Sequence, residues 1–64
     1  MMFIGEFVLA GLRLEADGDY FSAAHAYHKA LRIALYTCMM PISHPQVREI
    51  QEDRQRCFRR IRDN

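Results

Sequence analysis

FVLAGLRLEADGDYFSAAHAYHKAL, residues Phe7–Leu31, decides the fold. Small residues recur at helical spacing on both sides of a Gly18-Asp19 turn. Gly11 lies on the first side, and Ala23, Ala26, Ala30 and Ala34 lie on the second, with Tyr20 and Tyr27 among them. Helices whose contact stripes are small approach closely, and interspersed tyrosines then fill the gaps and fix the register. The pattern predicts a tightly packed antiparallel helical hairpin. Hairpins of this kind usually hold other proteins, so the expected role is binding and no catalytic activity is expected.

Working back from the turn, Phe3, Phe7, Ala10 and Leu14 fall at helical spacing, flanked by Ile4, Val8 and Gly11. This predicts a first helix over residues 2–16 with a wide apolar stripe. Leu9 and Leu12 extend the stripe further than one partner helix covers. Gly5 and Gly11 each cost about 1 kcal/mol against alanine in a helix interior, so this helix needs tertiary support. Gly11 is expected where a neighbouring backbone approaches; Gly5 has no such role. Gly18 suits the positive-φ position that ends the helix, and Asp19 is placed to cap the next one. The second helix is predicted over residues 20–36, alanine-rich and free of proline and glycine.

Working forward, Thr37–His44 (TCMMPISH) breaks the periodicity, and Pro41 and Pro45 bracket the connection. Pro45 suits the first turn of a third helix, predicted over residues 45–63. Val47, Ile50, Cys57 and Ile61, with Phe58 beside them, form its apolar stripe, interrupted by Arg54. Arg48–Glu52 and Glu52–Arg56 are opposite charges one helical turn apart, the pattern of a solvent face. The expectation is an all-α fold in which residues 1–64 form one three-helix domain.

A chain of 64 residues has a thin stability margin, because domains this small bury only about 60% of their unfolded surface. Half of the residues are hydrophobic, so some apolar surface is expected to stay exposed until a partner or a second copy covers it. The charge is uneven. Residues 1–43 carry Arg13, Lys29 and Arg32 against Glu6, Glu15, Asp17 and Asp19, whereas residues 44–64 carry six arginines against Glu49, Glu52, Asp53 and Asp63. A basic end suits an acidic protein, nucleic acid or a membrane surface, but the interspersed acids make a solvated helix face the simpler expectation. The opening MMFIGEFVLAGL lacks a basic leader region, contains Glu6, and is too short to span a bilayer. A cytoplasmic protein without a transmembrane segment is expected.

The hairpin residues resemble a tetratricopeptide repeat. Phe7, the Ala10-Gly11 pair and Leu14 match the first helix of that family's pattern, Gly18-Asp19-Tyr20 its turn, and Ala23, Tyr27 and Ala30-Leu31 its second helix. Ala10 stands where leucine is usual, and Leu35 where proline often closes the repeat. The long connection through His44-Pro45 is similar to that of the extended repeats of kinesin light chains. The chain also resembles the microtubule-interacting and trafficking (MIT) domain, a three-helix bundle whose second helix has the pattern met by Tyr20, Ala23 and Tyr27. Phe58, Arg60 and Ile61 match that family's third helix loosely, with Arg62 in place of its acid. The first resemblance implies a hairpin that stacks on neighbours and presents a face to a peptide or helix. The second implies grooves beside the third helix that take short motifs.

A single repeat cannot bury both of its faces. The third helix is expected to cap one, leaving the outer side of the first for a neighbour or for self-association. The contact residues expected for a protein or peptide partner are Leu9, Leu12, Arg13, Arg56, Arg59 and Arg60. Phe7, Gly11, Leu14, Tyr20, Ala23, Tyr27 and Ala30 are expected to be structural. Neither a metal nor another cofactor is expected: His25, His28, His44 and Cys57 lack zinc-ligand spacing. Cys38 and Cys57 are expected to be reduced thiols, with Cys57 in the core and no base or oxyanion site to make it a nucleophile. Met39, Met40 and Tyr36 either form an adaptable apolar patch or fill the loop under the core. The alternative function is nucleic-acid binding through Arg54–Arg62 (RQRCFRRIR), although the connection is long for a helix-turn-helix and the net charge is near zero.

Overall fold

A computed structural model, describing residues 3–63, forms helices α1 (Ile4–Ala16), α2 (Tyr20–Arg32) and α3 (Pro45–Asp63). A π-helical turn, Ile33–Thr37, extends α2, and no strand occurs among the described residues. The fold is all-α, as expected. The predicted start of the first helix at Met2 lies outside the described residues.

Local chemistry makes the hairpin. Gly18 takes φ 82°, and its N–H donates to the Glu15 carbonyl at 3.0 Å while the Asp19 N–H donates to that of Leu14 at 2.9 Å. These two bonds satisfy the last carbonyls of α1 and turn the chain back on itself. The Asp19 carboxylate then accepts from the Ser22 N–H at 3.2 Å, capping α2. At the far end His44 begins α3: its Nδ1 accepts from the Gln46 N–H at 3.1 Å, its carbonyl from the Arg48 N–H at 3.0 Å, and Pro45 fills the first helical position.

α2 lies between the other two helices and packs on both, giving a slab whose Cα extents are 35 × 24 × 14 Å. Its alanines are the packing surface: Ala23, Ala30 and Ala34 have no exposure, and neither has Tyr27. Val47, Ile50 and Cys57 enter from α3, and each buried aliphatic side chain contributes about 1.5–3 kcal/mol. Phe7, Leu14 and Tyr20, expected as structural, are half-buried against this cluster.

Four details depart from the sequence expectations. Gly11 is buried, but its close neighbour is a side chain: the Tyr27 ring occupies the place where a Cβ would project. The second helix does not stay α-helical to residue 36. Beyond Arg32 it widens, with the Cys38 N–H reaching the Ile33 carbonyl at 2.9 Å and the Met40 N–H the Ala34 carbonyl at 2.9 Å. The extra residue per turn shifts the helical phase, so Tyr36 and Met39 face solvent while Met40 packs on the core. Met39 takes φ 56° to close this wide turn. The apolar stripe of α3 also ends early: Phe58 and Ile61 are 43% and 38% exposed, because α3 there passes the first turns of α2 and no further helix covers them. Finally, Arg56 forms its i,i+3 ion pair with Asp53, at 3.0 Å, and not with Glu52.

Candidate functional site

Two features of the slab gather chemistry. The first is polar and ties the three helices together. Glu15, near the end of α1, accepts from the Tyr27 hydroxyl at 2.9 Å and takes a two-pronged bond from Arg56, with Nε to Oε2 at 2.6 Å and Nη2 to Oε1 at 2.8 Å. Paired N–H donors in a fork match a carboxylate and are stronger than neutral hydrogen bonds. The Arg56 guanidinium beside Glu15 holds that carboxyl below its usual range, against burial, which pushes the other way; the Tyr27 bond adds to the lowering. Burial, and then the bond to Glu15, pushes the Tyr27 hydroxyl up, while the same carboxylate pushes Arg56 up. Burial also pushes the Cys57 thiol up, followed by the charge of Glu15. Each group is thereby held in its resting protonation state, so the cluster is built to clasp helices.

The second feature is an apolar groove of about 320 Å³ between α2 and α3, lined by Phe21, Ala24, His25, His28, Phe58 and Ile61. Ala24 is 4% exposed and Phe21 77% exposed, so a small floor lies between tall walls. One wall is stiffened from behind. Arg54 lies 5.6 Å from the centroid of the Phe58 ring, and its Nη1 stands 3.0 Å from Nδ1 of His28. Since a guanidinium only donates, His28 is the acceptor in that pair.

The expected contact residues fall on several surfaces. Leu9 and Leu12 are 49% and 46% exposed on the outer side of α1, with Arg13 exposed beside them. Leu12, Arg56 and Arg60 meet Glu15, Ala16 and Tyr20 around one shallow depression. Arg56 is already engaged there, and the Arg60 guanidinium lies 5.8 Å from the centroid of the Tyr20 ring. Arg59 belongs to a different face, with Arg48, Gln51, Glu52, Arg54 and Gln55.

The groove residues Phe21, His25 and His28 were not among the expected contacts. Phe21 carried a signal: it is a large apolar residue outside the alanine stripe of α2. What sequence spacing does not show is that Phe58 and Ile61 converge on it.

Both cysteines are free; Cys38 is exposed and Cys57 buried. Among the described residues no three His, Cys, Asp or Glu side chains gather as metal ligands. No helix among them is long and apolar enough to cross a membrane. Compared with protein-family models, curated proteins and solved structures, the chain matches none significantly.

Proposed function

We propose that this domain is a non-enzymatic protein-interaction module that takes an apolar segment of a partner into the groove between α2 and α3. The observation that carries the reading is the groove itself. Phe21, Phe58 and Ile61 stay exposed and converge around the buried Ala24. Two helices framing a small-residue floor form the kind of slot that accepts side chains from a third helix or a strand. The outer row of α1, Leu9 and Leu12, is a second contact surface, open to another copy of the chain.

The resemblance to tetratricopeptide hairpins supports the same class of function. Gly11, Ala23, Tyr27 and Ala30, which carry that resemblance, are all buried where the hairpin packs. The three-helix count is what the MIT-like reading asks for.

Sedimentation equilibrium and affinity capture test the proposal, each comparing the natural chain with Phe21→Ser and with Leu12→Ser. The proposal expects a dimer, or a captured protein, that one of these exposed substitutions removes while helicity stays unchanged. A monomer whose captured proteins are the same with either substitution would reject it. The arginine face of α3, with Arg48, Arg54 and Arg59 along one depression, supports nucleic-acid binding as the second reading. Salt-sensitive binding of DNA or RNA, lost in Arg59→Ala/Arg60→Ala, would decide for that alternative.

A further inference from the structure

We infer that the π turn and the loop after it form a membrane-contact tip, which seats Tyr36, Met39 and Ile42 in the interfacial layer of an anionic lipid surface. The tip lies at the opposite end of α2 from the groove and does not depend on it.

Between Arg32 and Arg48 the chain has no lysine, arginine, aspartate or glutamate. His44, the imidazole within that stretch, is committed to the start of α3, where it accepts from the Gln46 N–H. The fold turns the stretch outward: Tyr36, Met39 and Ile42 are 74%, 77% and 68% exposed. The antiparallel hairpin brings the start of α1, with the exposed Phe3, to the same end. Large apolar side chains gathered at one end of so small a domain mark a contact surface. The backbone shows that this display is held against a cost. The Met40 N–H closes on the Ala34 carbonyl, a helix-ending bond in which the residue before the donor is left-handed and is usually glycine. That residue here is Met39, at φ 56°. A methionine in this conformation strains the backbone, and its exposed side chain adds little to the core, so the side chain serves something outside the fold.

Shape and charge choose the occupant. Apolar side chains standing out of a turn suit a soft layer of headgroups and acyl chains, and a tyrosine, with its apolar ring and polar hydroxyl, is at home in that layer. The first charged groups behind the tip on the two helices that carry it are Arg32 and Arg48, both exposed. Arg48 borders one shallow depression with Ile42, Ser43 and Gln51. The long apolar stems of these arginines let their guanidiniums reach lipid phosphates while the tip is immersed. Glu6 in the first turn of α1 and Glu49 next to Arg48 are the acids at this level, with Glu52 a turn deeper. Their shorter side chains stay in water while the arginines extend.

The chain has no tryptophan, so Met39→Trp places a single reporter in the tip. With vesicles of phosphatidylcholine containing about a quarter phosphatidylserine, its emission is expected to shift to the blue and to be quenched by brominated acyl chains. Leu9→Trp, on the outer side of α1, should show neither effect. The natural chain should bind pure phosphatidylcholine vesicles about tenfold more weakly, and Arg32→Gln/Arg48→Gln should lose about the same factor on the anionic ones. Met39→Gly separates display from folding: relief of the strained φ should raise the urea midpoint while vesicle binding falls about tenfold. Absence of the blue shift at residue 39, equal binding to both kinds of vesicle, or Met39→Gly binding as tightly as the natural chain overturns the inference. So does a dimer in reducing, vesicle-free solution that Met39→Gly dissolves, which would give the tip to a second copy of the chain.

Discussion

The Tyr27 ring lies so close over Gly11 that a Cβ on residue 11 would stand 2.6 Å from its Cε1 and 2.8 Å from its Cζ. A glycine in mid-helix is thus the reason that a fully buried tyrosine fits between α1 and α2. Gly11→Ala gains about 1 kcal/mol of helix propensity but forces the ring or the helix to move, and overpacking a core costs about 1–3 kcal/mol. Net destabilisation of up to about 2 kcal/mol is expected in urea unfolding. Gly5 is the internal control. It also lies in α1, yet nothing stands within 4 Å of a Cβ built there. Gly5→Ala is expected to stabilise by up to about 1 kcal/mol. If the two substitutions shift the midpoint in the same direction, the Tyr27 contact is not what demands Gly11.

That pair also shows how far the sequence is legible. The hairpin is readable because its determinants are local: Gly18 for a positive φ, Asp19 for a cap, and alanines at one helical period. Helix α3 is readable from Pro45 and the Val47, Ile50, Cys57 spacing. The identity of the neighbour at Gly11 is not, because spacing reports that something comes close without saying whether it is backbone or ring. The π turn is equally hidden, since Ile33–Thr37 has ordinary helical composition and the widening is closed by long-reaching bonds to Ile33 and Ala34. The groove is hidden for a third reason. Phe58 and Ile61 continue a stripe that reads as core, and only the place where α2 begins decides that they stay uncovered.

Glu15 joins all three helices, and its pairing has a signed consequence for acid stability. In an unfolded chain a glutamate takes up its proton near pH 4.3, whereas Arg56 and Tyr27 hold the folded carboxyl below the usual range. Between those values the unfolded state binds more protons. The stabilisation is therefore complete above the unfolded value and disappears as pH falls through the folded one. Glu15→Gln keeps the shape and removes the charge. It is expected to cost about 1–2 kcal/mol at neutral pH, toward the lower end because Arg56 is 43% exposed at its side chain. It should also flatten the fall in stability between about pH 5 and about pH 3, followed by circular dichroism during urea titration. An acid limb as steep in the variant as in the natural chain would place the acid-sensitive group elsewhere.

The two thiols should differ sharply in reactivity, and the difference measures how the slab opens. Attack requires thiolate and access. Cys38 has access, at the exposed end of the π turn. Cys57 has neither: it is fully buried between α2 and α3, and burial, followed by the charge of Glu15, pushes its thiol up. A thiol-specific chromogenic reagent is expected to modify Cys38 rapidly and Cys57 only as fast as the domain unfolds. The slow phase should then accelerate with urea in step with global unfolding, because Cys57 touches the core cluster and no local fraying exposes it. The raised thiol has its own pH signature. An unfolded cysteine ionises near pH 8.5 and the folded one later, so the stabilisation is present below that value and is lost as pH rises through the folded one. Cys57→Ala should remove the slow phase and leave the fast one unchanged. Equal modification of both cysteines in the native state would mean that α3 separates from α2 without global unfolding, which the shared burial of Val47, Ile50 and Cys57 argues against.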